Sequence, residues 1–500
     1  MAGTESDCPV LDYHTVLGVG GIVHSEITLV DKQIEWVNGN TVLAMKAKYP
    51  ATIVVGLGKT GYSCARFLAA RGVDFMLVDT REQPPYLHQL QMEQPERVVR
   101  LGPLDETLLK QADQLILSPG IALNNPAIAA AIAVGVQVRS DIDLFCGVVS
   151  APIVAITGSN AKSTVTTLVG LMAERAGKTV GVGGNLGTPV LELAEQAMES
   201  GDNQQDLYVL ELSSFQLEIT EKLHAQVATI LNLSPDHMDR YASYEAYRRA
   251  KQRIFRGCSQ IVLNLDDPQT HSLLPTTVRV TRFGLGEPKA GEFGVIHEIS
   301  QAYLAYGEKK LMPVMALKIK GAHNLSNALA ALALGHAAGL PMDAMLTALR
   351  EFAGLPHRCQ WVRQRQQVDY YNDSKGTNVG ATLAAINGLG AAESGKIVLI
   401  AGGEGKGADF SELNESVRHY CRALVLIGRD AEKIAQALSP VCAEEFPLLR
   451  AASMSQAVEK AAAAALPGDM VLLSPACASF DMFNNFEARG DAFIDAVRAL

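Results

Sequence analysis

The sequence predicts an α/β protein built from three domains, and this prediction follows from the order of its segments. A short apolar strand, a glycine-bearing loop and an amphipathic helix follow one another three times, beginning near Thr52, Pro152 and Lys396. Short strands that alternate with helices are typical of parallel sheets with right-handed crossovers. The chain has 500 residues. At roughly 150 residues per domain, that length allows about three domains.

The individual strands are predicted from short apolar runs bounded by polar or glycine-rich segments. The first strand of each domain begins near Thr52, Pro152 and Lys396, respectively. The further strands are predicted at 75–80 and 114–121 in the first domain, at 207–212 and 227–233 in the second, and at 423–430 and 469–475 in the third. The first helix of each of the first two domains is expected to end near a glycine, Gly72 and Gly177 respectively.

Domain boundaries are predicted near 148–151 and near 354–360. We therefore expect an N-terminal extension over 1–46, a first domain over 47–149, a central domain over 150–355 and a C-terminal domain over 356–500. The extension has partial alternation and an Asn38-Gly39 turn signal, which is typical of a β-hairpin. A segment that never becomes well ordered is the alternative, and neither reading gives the extension a function.

Composition excludes several classes of protein. The chain has 43 Lys and Arg against 53 Asp and Glu, which argues against a non-specific nucleic-acid binder. Its eight cysteines form no CxxC pair, which argues against a zinc ribbon, a dithiol redox site and a disulfide scaffold. No apolar run reaches the roughly 18 residues of a membrane span, and the first residues do not resemble a secretory signal. We expect a cytoplasmic protein.

A phosphate-binding loop is predicted between the first strand and the first helix of the central domain. Backbone N–H groups of such a loop, with the helix N-terminus behind them, cradle the phosphates of a nucleotide. Lys162 would reach the β and γ phosphates, and the hydroxyl of Ser163 would bind Mg²⁺. The loop consists of Gly158, Ser159, Asn160, Ala161, Lys162, Ser163 and Thr164. A helix N-terminus with an incidental lysine is the alternative, and the strand–loop–helix context favours phosphate binding.

The loop departs from the usual pattern because Ala161 stands where glycine precedes the lysine. The extra methyl group is tolerable if φ at this residue is negative, and it is costly otherwise.

Two polar residues follow neighbouring strands of the central domain. Glu211 ends the strand at 207–212, and His237 follows the strand at 227–233. Ligands of open α/β sheets bind outside the carboxyl ends of the strands, so both side chains suit a role at magnesium. A hydrogen-bonded histidine without a ligand is the alternative for His237. Residue type and position alone make Lys251, on the next helix, a solvated surface cation.

The first glycine-rich turn matches a dinucleotide fingerprint. Gly56–Gly61 has the pattern GxGxxG after a strand, and Asp79 lies at the end of the next strand. A nicotinamide dinucleotide would make this protein an oxidoreductase. Another pyrophosphate ligand, such as a UDP-sugar, fits the same cradle, and the motif alone does not separate the two.

Together these motifs resemble the muramyl ligases of bacterial cell-wall synthesis, over about residues 50 to 500. The motifs occur in the order typical of the family: GLGKTG, DTRE, SPG, GSNAKST, GGNLGTP, LELSSFQLE, SPDHMDRY, GAHNLSNALAAL, GLPHRCQ, NDSKGTN, GGEGKGADF and SPACASFDMFNNFEARG. The resemblance implies a Rossmann-like UDP-binding domain, a central P-loop ATPase-like domain with a parallel sheet, and a Rossmann-like C-terminal domain.

The resemblance also implies a reaction. An ATP-dependent ligase of this family would add D-glutamate to UDP-N-acetylmuramoyl-L-alanine through an acyl phosphate, releasing ADP and phosphate. Its partners are then small molecules, without nucleic acid or membrane, and we expect a monomer. The alternatives are a related muramyl or folylpolyglutamate-type ligase with another amino acid, an NAD-dependent oxidoreductase, and a nucleotide switch without enzymatic activity.

Site residues follow from the resemblance, position by position. It makes Lys162, His237 and Lys251 catalytic, and it implies two Mg²⁺ ions held by Ser163, Glu211, His237 and a CO₂-derived carbamate on Lys251. The carbamate overturns the surface reading of Lys251. For ATP the resemblance adds Asn324, Asn327, Arg358 and Asp373 to the phosphate loop.

The two remaining substrates fall on the outer domains. The UDP-sugar is expected at Gly58, Thr60, Asp79, Thr80, Arg81, Ser118, Pro119, Gly120 and Asn185. D-glutamate is expected at Lys375, Thr377, Lys406, Ser479 and Phe486. The sequence departs from the family pattern at Gly376, where Ala is expected, and at Phe480, where Leu is common.

Overall fold

The structure is a computed structural model that describes residues 35–37, 40–42, 51–185, 187–199, 205–271, 278–319, 321–392, 395–441 and 446–500. The chain divides into two units, residues 1–49 and residues 50–500.

In the first unit, strand β1 (Glu35–Val37) pairs antiparallel with β2 (Asn40–Val42). The pairing fits the hairpin reading of the extension, while Asn38, Gly39 and the rest of 1–46 lie outside the described residues. The structure gives this hairpin no function.

The second unit begins with a five-stranded parallel sheet in the order β5-β4-β3-β6-β7. Its strands are β3 (Thr52–Val55), β4 (Phe75–Asp79), β5 (Val99–Leu101), β6 (Gln114–Leu117) and β7 (Gln137–Arg139). Its helices are α1 (Lys59–Ala69), α2 (Leu87–Glu93), α3 (Glu106–Leu109), α4 (Pro126–Ala133) and α5 (Asp141–Cys146). The chain reverses direction across the sheet between β3 and β6, which places a ligand-binding crevice at their carboxyl ends.

The central sheet has nine strands in the order β16-β15-β14-β13-β12-β11-β8-β10-β9. They are β8 (Ile153–Thr157), β9 (Val180–Gly184), β10 (Leu207–Glu211), β11 (Val227–Ile230), β12 (Gln260–Asn264), β13 (Arg279–Phe283), β14 (Glu292–His297), β15 (Ala302–Tyr306) and β16 (Lys309–Pro313). β9 to β14 are parallel to β8, and β15 and β16 add an antiparallel edge.

Six helices of the described residues accompany this sheet: α6 (Lys162–Arg175), α7 (Val190–Glu199), α8 (Ser214–Ile219), α9 (Tyr244–Gln252), α10 (Ala322–Ala337) and α11 (Met342–Glu351). The small alanine side chains of α10 are buried in the same apolar cluster as Val165 and Val169 of α6. Because β8 lies between β10 and β11, the loop after β8 sits at the switch point of the sheet.

The C-terminal sheet has the order β17-β18-β22-β19-β20-β21, and only β17 is antiparallel. Its strands are β17 (Gln360–Arg365), β18 (Val368–Asn372), β19 (Ile397–Gly402), β20 (Cys421–Ile427), β21 (Leu448–Arg450) and β22 (Met470–Leu473). Its helices are α12 (Val379–Ala392), α13 (Asn414–Tyr420), α14 (Ala431–Ala437), α15 (Met454–Ala464) and α16 (Phe486–Ala499).

The three sheets confirm the predicted α/β class with three domains. Strands lie at each predicted position, and the four-residue strands β3, β11 and β22 are fully buried, as expected for sheets covered on both faces. Short 3₁₀ helices of the described residues lie at Arg253–Phe255, Pro268–Thr270, Val314–Ala316 and Phe410–Leu413. Within the described ranges, no helix is long and apolar enough to cross a membrane.

Candidate functional site

The phosphate loop joins the end of β8 to α6, as predicted. Ala161 has φ 65° and ψ −4°, so it adopts the left-handed conformation. The condition under which an alanine is tolerable there is therefore not met, and the conformation costs about 1–2 kcal/mol relative to a right-handed one. The Lys162 ammonium folds back and donates to the carbonyls of Gly158 and Ser159, at 2.9 and 3.0 Å.

Lys251 is buried behind this loop and is not a surface cation. Its side chain is 2% exposed, and Nζ donates to the Gly158 carbonyl at 2.8 Å and to the Thr157 hydroxyl at 3.3 Å. Burial, reinforced by the positive charge of Lys162, lowers the pKa of Lys251 well below its ordinary value. This amine therefore carries a reactive lone pair far more often than an exposed lysine does.

Glu211 ends β10 beside the loop and carries an incomplete hydrogen-bond set. Oε1 accepts from Asn185 Nδ2 at 2.7 Å, whereas Oε2 is buried and has no hydrogen-bond partner. Leaving a buried carboxylate oxygen without a partner is unfavourable, so this oxygen calls for a ligand, a water molecule or a cation.

The segment after β11 contributes Asp236 and His237. The His237 side chain is about one-third exposed, and its Nε2 lies 3.7 Å from Asp236 Oδ2. Burial lowers the pKa of His237, which favours the neutral imidazole, the form that binds metals. Burial opposes ionisation of Asp236, but Lys406 and His237 hold its pKa below the ordinary value.

The C-terminal domain reaches the phosphate loop through side chains from three of its segments. Arg358 Nη2 donates to the Ser163 hydroxyl at 2.7 Å, and Lys406 Nζ lies 2.7 Å from Asp236 Oδ1. The Asn378 and Asn160 amides form a reciprocal pair at 3.1 and 3.3 Å. Asn378 also donates to Asp236 Oδ2 at 3.2 Å.

Sequence reasoning missed Asp236 and Asn378. Both lie inside quoted motifs, SPDHMDRY and NDSKGTN, so their position in a motif was the signal that could have found them. Their partners are distant in sequence, and only the folded chain shows the contacts.

Seven of the eleven predicted ATP residues line a cavity of about 300 Å³ between the phosphate loop and the C-terminal domain, whereas Gly158, Ser159, Lys162 and Ser163 do not line it. Its walls include Asn160, Ala161, Thr164, Asn324, Asn327, Arg358 and Asp373 from the prediction, and also His323, Cys359 and Lys375. Asp373 accepts from the Ser474 hydroxyl and the Cys359 amide, and burial raises its pKa to about 6.

The predicted UDP-sugar residues surround a larger cavity of about 760 Å³. All nine line it: Gly58, Thr60, Asp79, Thr80, Arg81, Ser118, Pro119, Gly120 and Asn185. Asp79 accepts from the Leu57 amide at 2.6 Å and forms an ion pair with Arg81 at 2.6 Å. Lys59 Nζ donates to the Gly187 carbonyl at 2.6 Å, which joins the first and central domains at the rim. Asp141, Gln216 and Glu487 also line the cavity and were not predicted.

The predicted D-glutamate residues follow three neighbouring strands, β18, β22 and β19. Lys375 Nζ lies 3.5 Å from the centre of the Phe486 ring, and Ser479 is buried. Thr377 follows Lys375 in the loop after β18, whereas Lys406 is engaged by Asp236. Of the five, only Lys375 lines either cavity described above.

The structure explains why residue 376 is a glycine and not an alanine. A methyl group at this position would lie 2.6 Å from Asp373 Oδ2 and 2.7 Å from Ser474 Oγ. Alanine therefore does not fit beside the Asp373–Ser474 hydrogen bond as it is formed here. Phe480 is 72% exposed, and nothing in the structure explains its choice over leucine.

The donor set resembles a magnesium site completed by substrate rather than a closed protein cage. Within the described residues, no group of three or more His, Cys, Asp or Glu side chains is arranged to hold a metal ion. Mg²⁺ commonly binds through one or two carboxylates, water and substrate phosphates. Glu211 Oε2 fits such a site, while Ser163 would first have to lose its contact with Arg358.

Comparison with known families gives a match in each of the three domains. The Mur ligase MurD-like N-terminal domain matches residues 50–140, the Mur ligase middle domain residues 156–335, and the glutamate ligase domain of Mur ligases residues 357–477.

Relatives match over most of their length. UDP-N-acetylmuramoylalanine–D-glutamate ligase of Pseudomonas fluorescens (strain Pf0-1) is 58% identical over 448 residues, 90% of this chain and 98% of the relative. The same-named enzyme of Nitrosococcus oceani is 52% identical over 449 residues, 90% of this chain and 96% of the relative.

Solved structures share the fold at lower identity. UDP-N-acetylmuramate-alanine ligase MurC of Thermotoga maritima has a TM-score of 0.55 at 18% identity, over 90% of this chain and 99% of the other. MurF ligase of T. maritima in complex with ADP has a TM-score of 0.56 at 15% identity, over 91% and 96%.

The charge of Lys375 gives the nucleotide cavity a testable pH dependence. Burial lowers the pKa of Lys375 to about 8, so its ammonium is charged at pH 7 and loses its proton as the pH rises through 8. We expect the dissociation constant of ADP to rise about fivefold to tenfold between pH 7 and 9, because an attractive cation is lost. Calorimetric titration at several pH values measures this change.

Lys375→Arg is the matched control, since arginine keeps its charge throughout this range. Its affinity for ADP should change much less between pH 7 and 9. If ADP affinity had the same pH dependence in both proteins, the charge of Lys375 would not be its cause.

Proposed function

This chain belongs to the Mur ligase family, and we propose that it adds D-glutamate to UDP-N-acetylmuramoyl-L-alanine. ATP is the second substrate, and ADP and phosphate are released. The observation that carries the proposal is one hydrogen bond. Asn185 lines the larger cavity and donates to Glu211 beside the phosphate loop at 2.7 Å, so the sugar-nucleotide cavity and the phosphate loop meet there. The identity of 58% to ligases of this name supports the choice of substrates.

We assign one substrate to each domain. Residues 47–149 bind the UDP-sugar, 150–355 bind ATP, and 356–500 bind D-glutamate and complete the ATP site. The loop from Gly158 to Thr164 would hold the phosphates, and Asn324 and Asn327, which also line the smaller cavity, would contact the base. Arg358 and Asp373 line the same cavity from the C-terminal domain and would contact the nucleotide from that side.

The reaction has two steps. The substrate carboxylate attacks the γ-phosphorus of ATP, giving an acyl phosphate and ADP. The amine of D-glutamate then attacks the acyl carbon, the amide bond forms, phosphate leaves and the amine gives up a proton. Lys162 and Arg358 would neutralise the transferring phosphoryl group, and such positioned charges are the main catalytic contribution in phosphoryl transfer.

Two Mg²⁺ ions belong to this proposal. Ser163, Glu211, His237 and a modified Lys251 would hold them, and bound Mg²⁺ would neutralise phosphate charge and orient the reacting oxygens. The unpartnered Glu211 Oε2 and the neutral His237 imidazole support this donor set.

A carbamate on Lys251 accounts for a lysine at this position. The neutral amine attacks the carbon of CO₂, and loss of one N–H proton leaves an anionic –NH–COO⁻ group. An ammonium group beside two Mg²⁺ ions would be repelled, whereas this anion can bind them. The depressed pKa of Lys251 supports the step, because only the unprotonated amine reacts.

D-glutamate would bind through Lys375, Thr377, Lys406, Ser479 and Phe486. Two lysines and hydroxyl donors suit its two carboxylates. Because Asp236 already contacts Lys406 at 2.7 Å, a substrate carboxylate would compete with Asp236 for this ammonium. That the enzyme is a monomer in the cytoplasm stays a prediction.

Phosphate release tests the reaction directly. With ATP, Mg²⁺ and UDP-N-acetylmuramoyl-L-alanine present, we expect release with D-glutamate and little with L-glutamate or no amino acid. Lys162→Ala should abolish release, since the lysine contacts the phosphates. Phosphate release with another amino acid in place of D-glutamate would support a ligase with a different amino-acid specificity. No phosphate release with any acceptor would contradict the ligase assignment.

Replacement of Lys251 tests the carbamate. Lys251→Ala should lose activity by about 100-fold or more, because the negative group at the metal site is gone. Added acetate or propionate should restore part of the activity by occupying the vacated space. The measurement is phosphate release with increasing carboxylate.

Lys178→Ala is the matched control, because Lys178 is a partly exposed lysine of the same domain paired with Asp206. It should keep its activity and should not respond to carboxylates. Full activity of Lys251→Ala without carboxylate would refute the carbamate.

A further inference from the structure

We infer that Asn232 is a positioning residue that holds the phosphate loop in its nucleotide-binding conformation against the backbone strain at Ala161. The inference rests on the proposed function in one respect, because it takes this loop to be the ATP site. It assigns a role to a residue that follows β11 and lies one strand away from the loop.

The Asn232 side chain forms hydrogen bonds with both backbone polar groups of one loop residue, Asn160. Its Oδ1 accepts from the Asn160 N–H at 2.8 Å, and its Nδ2 donates to the Asn160 carbonyl at 3.2 Å. These two bonds satisfy both backbone groups of Asn160, the residue immediately before Ala161. A side-chain amide that bonds to both groups of one residue restrains its φ and ψ together.

The restrained residue borders the strained one. Ala161 has φ 65°, a conformation in which the Cβ of an L-residue crowds the backbone, and the residue also begins α6. Glycine adopts this conformation without the penalty. The loop therefore needs contacts with other segments to keep Ala161 in the left-handed conformation. The two hydrogen bonds from Asn232 restrain Asn160, the residue next to Ala161.

Other contacts hold the preceding part of the loop and do not depend on the Asn232 side chain. The Ser159 amide donates to the Asn232 backbone carbonyl at 2.9 Å. Ser159 Oγ lies 2.9 Å from both the carbonyl and the amide of Ser234, and 2.8 Å from the Tyr247 hydroxyl. A substitution at Asn232 removes the two side-chain hydrogen bonds to Asn160 and leaves the contacts of Ser159 in place.

The consequence is a conformational equilibrium of the loop. With Asn232 present, the nucleotide-binding conformation dominates, so relief of strain at Ala161 adds little affinity. Without these two hydrogen bonds, the strain at Ala161 shifts the loop toward other conformations. The apparent dissociation constant of the nucleotide then equals the intrinsic constant divided by the fraction of loops in the binding conformation. Glycine at 161 then restores the competent fraction.

A double-mutant cycle on the complete protein tests this inference, with calorimetric titration of ADP and Mg²⁺ as the readout. We expect Asn232→Ala to weaken binding about fivefold through the loss of two hydrogen bonds. Ala161→Gly should change the wild-type affinity by less than about twofold, and in the Asn232→Ala background it should recover more than half of the loss. In assays, KM for ATP should change more than kcat.

Two further variants keep the test decisive. Asn414→Ala removes an asparagine bonded to a backbone carbonyl, that of Ala437, in the C-terminal domain, and it should leave ADP affinity unchanged. If Asn232→Ala does not fold, Asn232→Asp takes its place, and its ADP affinity is compared with and without Ala161→Gly. Both proteins of that comparison carry the added negative charge, so its effect on affinity cancels.

The outcomes separate the inference from the proposed function. Failure of the wild-type protein to bind ADP and Mg²⁺ would contradict the proposed function. Wild-type binding with an equal effect of Ala161→Gly in both backgrounds would overturn the inference. So would a loss in Asn232→Ala that glycine does not recover, since Asn232 would then act as a direct contact to the nucleotide.

Discussion

The burial of ionisable groups around the carboxyl ends of β8 and β10 is the constraint on which the rest of this structure depends. Glu211 Oε2 is buried without a partner, and Lys251 is buried with its pKa depressed. The fold maintains both against the cost of desolvation, which a chain optimised for stability alone would remove. Under the proposed function, a bound nucleotide with Mg²⁺ would supply the partner that Glu211 Oε2 lacks.

The arrangement of the domains follows from that constraint. Side chains of the first and C-terminal domains both contact the central domain. The first domain adds the Lys59 contact at the rim, and the C-terminal domain adds Arg358, Asn378 and Lys406. These contacts join chain segments that are 128 to 218 residues apart. Small changes in the position of the C-terminal domain therefore reach the phosphate loop directly.

Much of this could be predicted from the sequence, because strand–loop–helix repeats and glycine-rich loops are local signals. The phosphate loop joins β8 to α6, Glu211 ends β10, and the nine residues predicted to bind the UDP-sugar line one cavity. Lys251 was different, since a lysine on an amphipathic helix gives no local sign that it is buried. The resemblance to a family corrected that reading, and the structure shows the burial.

What the sequence could not supply depends on pairs of distant residues or on backbone angles. The sign of φ at Ala161 decides whether the loop is strained, and residue type alone leaves it open. The contacts of Asp236 with Lys406 and Asn378, and those of Asn232 with Asn160, join residues at least 72 positions apart. Gly376 is understood only once Asp373 and Ser474 are seen beside it.

The most direct measurement of the central claim is anomalous diffraction from crystals grown with ADP and Mn²⁺ in place of Mg²⁺. The account predicts a manganese peak with Glu211 Oε2 as a direct ligand, between the phosphate loop and the end of β10. Bound ADP with manganese peaks that leave Glu211 Oε2 without a metal would contradict it.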